Sequence, residues 1–273
     1  MRIIAFKVFQ RVGFHVVPIH FYEPIPDTRS LPESTWAKPS DLVGIEMNEP
    51  SQLKLLDAFR EQFGAEFGAI PTGPQFGSVD REILYCMVRH LRPSVVLEVG
   101  SGTSTRISAD ALARNGSGGL IAIEPYPDET VRNGIPGLIR LIATPVQQVQ
   151  LSEFESLGEN DILFIDSSHV MKIGSDVQFL YLDVLPRLKA GVVIHIHDIF
   201  LPADYPRSWV MDNATFWNEQ YVLQAFLAFN SAFEVLWAGS FMNMKYPERL
   251  ESAFPSYTRG QTSPGSIWIR KVR

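Results

Sequence analysis

From Ser78 onward the chain alternates between two patterns of apolar positions. Short, nearly unbroken apolar runs appear at VVLEV (95–99), LIAIE (120–124), GLIRLI (137–142), DILFID (161–166) and GVVIHIH (191–197). Such runs predict strands covered on both faces, because a half-exposed strand would alternate polar and apolar residues. Between them, apolar residues recur at three- and four-residue spacing, which predicts helices over 79–91, 104–115, 174–188 and 214–230. Two last runs, FEVLWAG (233–239) and SIWIRKV (266–272), are separated by a long Pro-containing stretch read as loop, so an antiparallel closing pair is expected. The result is an α/β chain with a doubly wound, seven-stranded, mostly parallel sheet and an antiparallel last strand.

Residues 1–77 read differently. FYEPIPDTRSLPESTWAKPSD (21–41) is too rich in Pro, Ser and acids for a regular helix or a central strand. A helix is expected within 51–67, followed by a Gly/Pro-rich loop at 68–78. This segment is expected to be an irregular N-terminal extension, with a possible role as a lid, on a main domain spanning 78–273.

Composition narrows the function. A net charge of -6, with no cluster of Lys or Arg, gives no electrostatic reason to expect nucleic-acid binding. The single cysteine, Cys86, excludes an intramolecular disulfide and a cysteine-rich zinc site, and it falls on an apolar helical pattern, as a buried thiol would. The opening MRIIAFKVFQRVGFHVVPIHF is apolar but interrupted by Lys7, Gln10, Arg11, His15 and Pro18. It offers neither a signal-peptide core nor a spanning segment, so a cytoplasmic location without a membrane partner is expected.

The candidate chemistry lies at the carboxyl ends of the strands, where open α/β sheets bind ligands. In EVGSGTST (98–105), Gly100 and Gly102 allow a ligand to approach the backbone, and the next helix supplies free N–H groups. A nicotinamide fingerprint would want a third glycine where Thr105 stands, and the Gly-Lys-Ser/Thr of a phosphate loop is missing. Glu98 would be poorly placed beside a pyrophosphate and suits a cofactor carrying positive charge. Glu124, ending the next strand, can accept from both hydroxyls of a ribose.

These residues resemble the class I S-adenosylmethionine-dependent methyltransferases over about residues 78–273. The resemblance implies the Rossmann-like fold of that family and S-adenosylmethionine as cofactor, held by Glu98, Gly100, Ser101, Gly102 and Glu124. Val146 and Gln147 stand at the adenine position, and Asp166 belongs to the same cleft. FIDSSH and HIHDIF, ending successive strands, are similar to the reacting end of metal-dependent O-methyltransferases of the catechol and sugar types. By that likeness Asp166, His197 and Asp198 would hold a divalent metal (Mg, Mn or Fe), and His169 takes the place of the family's lysine base. His197 brings nitrogen where that family uses oxygen ligands only, which shifts preference away from Mg²⁺.

His169 and His197 are therefore the expected catalytic residues, an ordinary imidazole being able to accept a proton near neutral pH. His195, two residues before His197, is expected to be a hydrogen-bonded core histidine, and Asp176 a helix-surface or capping acid. Tyr205, Arg207 and Trp209, together with Tyr22, are candidates for the acceptor side, aromatic faces with polar edges being common where sugars dock. Trp217, Tyr221 and Phe226 read alternatively as the buried face of a helix over 214–230. The expected reaction is O-methylation of a small molecule, a sugar or glycosylated natural product, by a chain that could form a homo-oligomer. A metal-dependent hydrolase or oxygenase built on the Asp/His cluster is the alternative, and a nicotinamide oxidoreductase or a non-catalytic binding module are further rivals.

Overall fold

The computed structural model describes residues 2–73 and 76–273, so Pro74 and Gln75 of the expected 68–78 loop lie outside the described residues. The chain divides into two compact units, one of Met1–Pro39 with Asp204–Phe216 and the other of Ser40–Ala203 with Trp217–Arg273. Position 77/78 is not a boundary between them. The first unit contains helices Arg2–Gln10, Ser34–Ala37 and Arg207–Met211. No described helix is long and apolar enough to cross a membrane.

The larger unit carries the sheet: β1 (Val95–Val99), β2 (Gly119–Ile123), β3 (Leu138–Ile142), β4 (Ile162–Ile165), β5 (Val193–His197), β6 (Phe233–Ala238) and β7 (Ser266–Lys271). Their order is β3-β2-β1-β4-β5-β7-β6, with β7 antiparallel to both neighbours and the other pairs parallel. This is the Rossmann-like, mostly parallel sheet expected from the apolar runs. β4 and β5 are buried at every position, as strands covered on both faces must be. Strand order reverses between β1 and β4, which opens a crevice at their carboxyl ends.

Local chemistry accounts for the helices beside that crevice. Helix Ser78–Leu91 ends where Arg92 turns left-handed, and helix Thr103–Asn115 ends at Gly116 with φ +70°. The expected helix over 174–188 starts at Asp176 with Ser175 as cap, then widens into a π turn over Leu180–Val184 and tightens over Leu185–Arg187. Pro186 donates no N–H, so the regular ladder cannot continue through it.

Two expectations need correction. The helix placed over 214–230 forms only as Glu219–Leu227, because Ala214 adopts a left-handed φ of 54° and Phe229 one of 58°. The stretch between the last two strands is not a plain loop. It holds helices Gly239–Lys245 and Pro247–Ala253, the second opening on a proline whose missing N–H costs nothing in the first turn.

Candidate functional site

The strand ends around the crevice are stitched together by backbone. Asp166 N–H donates to Val99 O at 2.9 Å, Gly100 N–H to Ile123 O at 3.0 Å, and Glu124 N–H to Ile142 O at 3.1 Å. Gly100 has φ +91°, and a Cβ there would stand 2.2 Å from the Asp166 carbonyl oxygen. The β1 and β4 ends can approach this closely only because that residue is glycine.

Over these ends lies a cavity of about 540 Å³, within the usual size of small-molecule sites. Its walls include Gly100, Glu124, Val146, Gln147 and Asp166, bringing together five of the residues expected around the cofactor. Glu124 accepts a hydrogen bond from Tyr126 N–H at 2.8 Å through Oε1. Gln147 Nε2 donates to Gly174 O at 3.1 Å, which ties the β3 side of the cavity to the loop after β4.

Glu98, Ser101 and Gly102 are not among the cavity walls. Glu98 is fully buried beneath the loop, where its Oε1 accepts from Ser104 Oγ at 2.5 Å. Its Oε2 has no hydrogen-bond partner among the described residues. Burial pushes its carboxyl up to about 8. Gly102 N–H donates to Thr105 Oγ1 at 2.8 Å, so the residue standing where a nicotinamide motif has glycine closes the helix start with its side chain.

The glycine cradle and the Glu124 carboxylate on the cavity wall fit a cofactor that carries ribose hydroxyls. Asp176 differs from its expected role as a surface or capping acid. It lines the cavity and holds the loop after β4, accepting from Ser168 N–H at 2.8 Å and Ser168 Oγ at 2.6 Å.

Beyond the cavity, Asp166, His169 and Asp198 each present a ligand atom within 4.8 Å of the others. His169 Nε2 lies 3.2 Å from Asp166 Oδ1 and 3.5 Å from Asp198 Oδ2. Both His169 (φ +58°) and Asp198 (φ +52°) are left-handed, a conformation that costs a non-glycine residue about 1–3 kcal/mol and clusters at functional sites. The structure thus groups His169, rather than the expected His197, with Asp166 and Asp198. His197 ends β5 on the same face as His195, and its ring stacks on Phe76 at 4.4 Å between centroids. Its Nε2 is 3.8 Å from Asp198 Oδ1, and its Nδ1 has no partner among the described residues.

The electrostatics follow from burial and from acids facing one base. Desolvation opposes charge on His169, yet Asp166 and Glu219 outweigh it and push the imidazole up to about 10. Without a cation it therefore holds its proton at neutral pH, contrary to the expectation of an ordinary imidazole base. Burial raises the Asp198 carboxyl. Burial also pushes the Asp166 carboxyl upward, but His197 and His169 overcome this and keep it below the usual carboxylate range. Two aspartates and an imidazole nitrogen make a mixed oxygen/nitrogen donor set that fits a divalent cation such as Mn²⁺ or Fe²⁺.

Several other expectations change. His195 is a core residue, but not a hydrogen-bonded one: neither ring nitrogen has a partner among the described residues. Its ring stacks on Phe164 at 4.1 Å, and burial holds it neutral, well below the ordinary histidine value. Tyr22, Tyr205, Arg207 and Trp209 all belong to the smaller unit. There the Tyr205 side chain is buried and its carbonyl accepts from Trp36 Nε1 at 3.0 Å. Arg207 is held by Glu33, with Nη2 to Oε1 at 2.7 Å and Nε to Oε2 at 3.0 Å. Its guanidinium thus forms an exposed ion pair with Glu33.

Trp217, read above as part of a helix face, precedes the helix and packs its ring 4.3 Å from that of His169. Glu219 and Phe76 were not singled out in the sequence at all. A glutamate in an amphipathic helix ordinarily faces water, and only its burial shows otherwise.

Comparison with known proteins agrees with this geometry. A methyltransferase-domain family matches residues 97–199, from β1 to just past β5. An uncharacterized protein of Archaeoglobus fulgidus is 32% identical over 178 residues, covering 57% of this chain and 80% of that protein. A putative methyltransferase from Thermobifida fusca is 13% identical, covers 89% of this chain and 99% of its own, and superposes with a TM-score of 0.48. The O-methyltransferase TomG from Streptomyces achromogenes, in complex with SAM, is 14% identical, with 84% and 92% covered and a TM-score of 0.46. At these TM-scores the two structures add no weight of their own. The matched model spans the strand ends that form the cavity and the Asp/His cluster, and with the strand order described above residues 97–199 belong to a methyltransferase-domain family.

Proposed function

We propose that the protein transfers a methyl group from S-adenosylmethionine to a hydroxyl oxygen of a small acceptor, with Asp166, His169 and Asp198 holding a divalent cation. The observation that carries this reading is the position of Asp166, which both lines the cofactor cavity and belongs to the three-residue cluster. An acceptor bound at the cluster therefore adjoins the cofactor.

In the reaction the acceptor oxygen forms a bond to the methyl carbon, the sulfur–carbon bond breaks, and the hydroxyl proton leaves. When bound, the cation polarises the hydroxyl and makes that proton more acidic. The chain's own residues supply the rest. Glu124 accepts from the ribose hydroxyls, and Glu98 braces the loop from below through Ser104. With His169 Nε2 engaged in holding the cation, the ring cannot also be the base, so the acceptor's proton passes to a carboxylate oxygen of Asp166 or Asp198 that does not hold the cation, or to water. Much of the acceleration comes from alignment, since displacement at carbon needs the attacking oxygen in line with the leaving sulfur.

For the acceptor we infer a sugar or glycosylated natural product, on the strength of the Trp217 ring beside His169. No observation favours the hydrolase or oxygenase reading, since the family match covers the strand ends that reading would use.

The test is incubation with methyl-labelled S-adenosylmethionine and a panel of glycosides and catechols, with chelator or with Mn²⁺. Label in an O-methyl group of the product, lost on chelation, is expected. Transfer to nitrogen or carbon, or transfer indifferent to chelation, would contradict the proposal.

A further inference from the structure

We propose that Glu219 is a positioning residue that grips His169 by Nδ1 and thereby turns Nε2 toward Asp166 and Asp198. Only the consequence for metal affinity rests on the cation reading above; the grip on the ring does not.

The grip is built from consecutive residues at the start of helix Glu219–Leu227. The Glu219 carboxylate is fully buried, with Oε2 2.9 Å from His169 Nδ1. The backbone N–H groups of Asn218 and Glu219 donate to the His169 carbonyl at 3.1 and 3.2 Å. Asn218 Oδ1 accepts from Met171 N–H at 2.6 Å, and the Trp217 ring covers one face of the imidazole at 4.3 Å. Main chain, ring face and ring nitrogen of His169 are thus each held by this short stretch. That accounts for how a buried histidine keeps a left-handed φ of 58° within a partly exposed loop.

Packing alone does not explain the glutamate. A carboxylate removed from water costs several kcal/mol unless it is paired, and a leucine or glutamine would fill the volume without that cost. What a carboxylate adds is a demand for a donor. Paired with Glu219 Oε2, Nδ1 must carry hydrogen, and the proton that metal binding displaces must then come from Nε2, the nitrogen facing the aspartates. Histidines that ligate metals are commonly oriented by a carboxylate on their other nitrogen in this way. In Glu219→Gln the side-chain amide can instead donate to Nδ1, which sends the ring hydrogen to Nε2 and blocks the coordinating lone pair.

The test is ¹⁵N NMR of the imidazole rings in the chelator-treated full-length protein over a pH series that runs from neutral through loss of the His169 proton, with His169→Gln identifying the resonances. In the singly protonated wild-type ring Nδ1 of His169 keeps its hydrogen and Nε2 loses its own. In Glu219→Gln Nδ1 shifts to the unprotonated position, and Glu219→Asp, which keeps a carboxylate, restores the hydrogen. An Nδ1 without hydrogen in the singly protonated wild-type ring overturns the proposal without any variant, as does an Nδ1 still protonated in the same state of folded Glu219→Gln.

Calorimetric titration with Mn²⁺ supplies a separate arm. Glu219→Gln is expected to bind about 10–100-fold more weakly than the wild type, while S-adenosylmethionine affinity, as the control for folding, stays unchanged. Equal Mn²⁺ affinity in Glu219→Gln and wild type overturns the proposed effect on metal binding. A wild type that binds no Mn²⁺ but shows the expected ring pattern supports the positioning role and overturns the cation reading.

Discussion

The cofactor side of the cleft and its reacting end are assembled in different ways. The cofactor side draws on the ends of β1, β2 and β3 and on the loop after β4, between Gly100 and Asp176, and its residues are placed by the strands they follow. The reacting end joins β4 and β5 to the start of a later helix, with His169 and Glu219 50 residues apart in sequence. Chain geometry is enough to make a glycine-lined cavity, because a strand end and a left-handed glycine define it locally. Aiming a reactive side chain requires partners from outside the local chain. The two sides should therefore fail separately when mutated.

The largest separation is expected from Asp198→Ala. It removes one of two carboxylates in the cluster without touching the cavity walls, so methyl transfer should fall about 10²–10³-fold, the usual loss for one preorganised electrostatic group. S-adenosylmethionine affinity, read by calorimetry, should remain. Gly100→Ala strikes the other side. Its Cβ would meet the Asp166 carbonyl at 2.2 Å in a left-handed backbone. Strain and overpacking should cost about 2–4 kcal/mol of stability by denaturant melts, with loss of cofactor binding.

A milder break of the cofactor side is Glu124→Ala. Losing charge-assisted hydrogen bonds to the ribose should weaken S-adenosylmethionine binding about 10–100-fold, with kcat at saturating cofactor little changed. The smallest effect on turnover is expected at Glu98, and it should appear instead in the pH dependence of folding. The native state keeps its proton to about pH 8, whereas an unfolded glutamate loses it near about 4.3. Between those values the native state binds the extra proton, so this contribution to stability is complete at low pH and fades as pH rises toward 8. Glu98→Gln should flatten that slope by about 1–3 kcal/mol, less than full linkage would give because water relaxes around an ionised buried carboxylate. A wild-type stability that instead rises over this range would show that Glu98 is ionised in the folded protein.

The same contrast explains how much could be read from the chain alone. The seven strands follow from apolar runs too continuous to face water, and the reversed β7 from the lack of a long crossover helix before it. Glu124 and Gly100 were legible because strand ends and glycine have fixed consequences. The His169 grip was not. Trp217 was assigned to a helix face because the helix was drawn too long, and the left-handed turn at Ala214 that shortens it leaves no mark in an apolar pattern. His197 reads as a ligand and His169 as a base from the resemblance at the two strand ends, and only geometry tells them apart, with His169 beside Asp166 and Asp198 and His197 stacked on Phe76. Arg207 carries nothing in its local sequence that reveals its pairing with Glu33, 174 residues away.

The most direct test of independent assembly is calorimetric titration of S-adenosylmethionine into chelator-treated wild type, Asp198→Ala and Glu124→Ala side by side. The account predicts equal affinity for wild type and Asp198→Ala and about a 10–100-fold loss for Glu124→Ala. Asp198→Ala losing the cofactor as Glu124→Ala does, or a wild type that binds none, would contradict it.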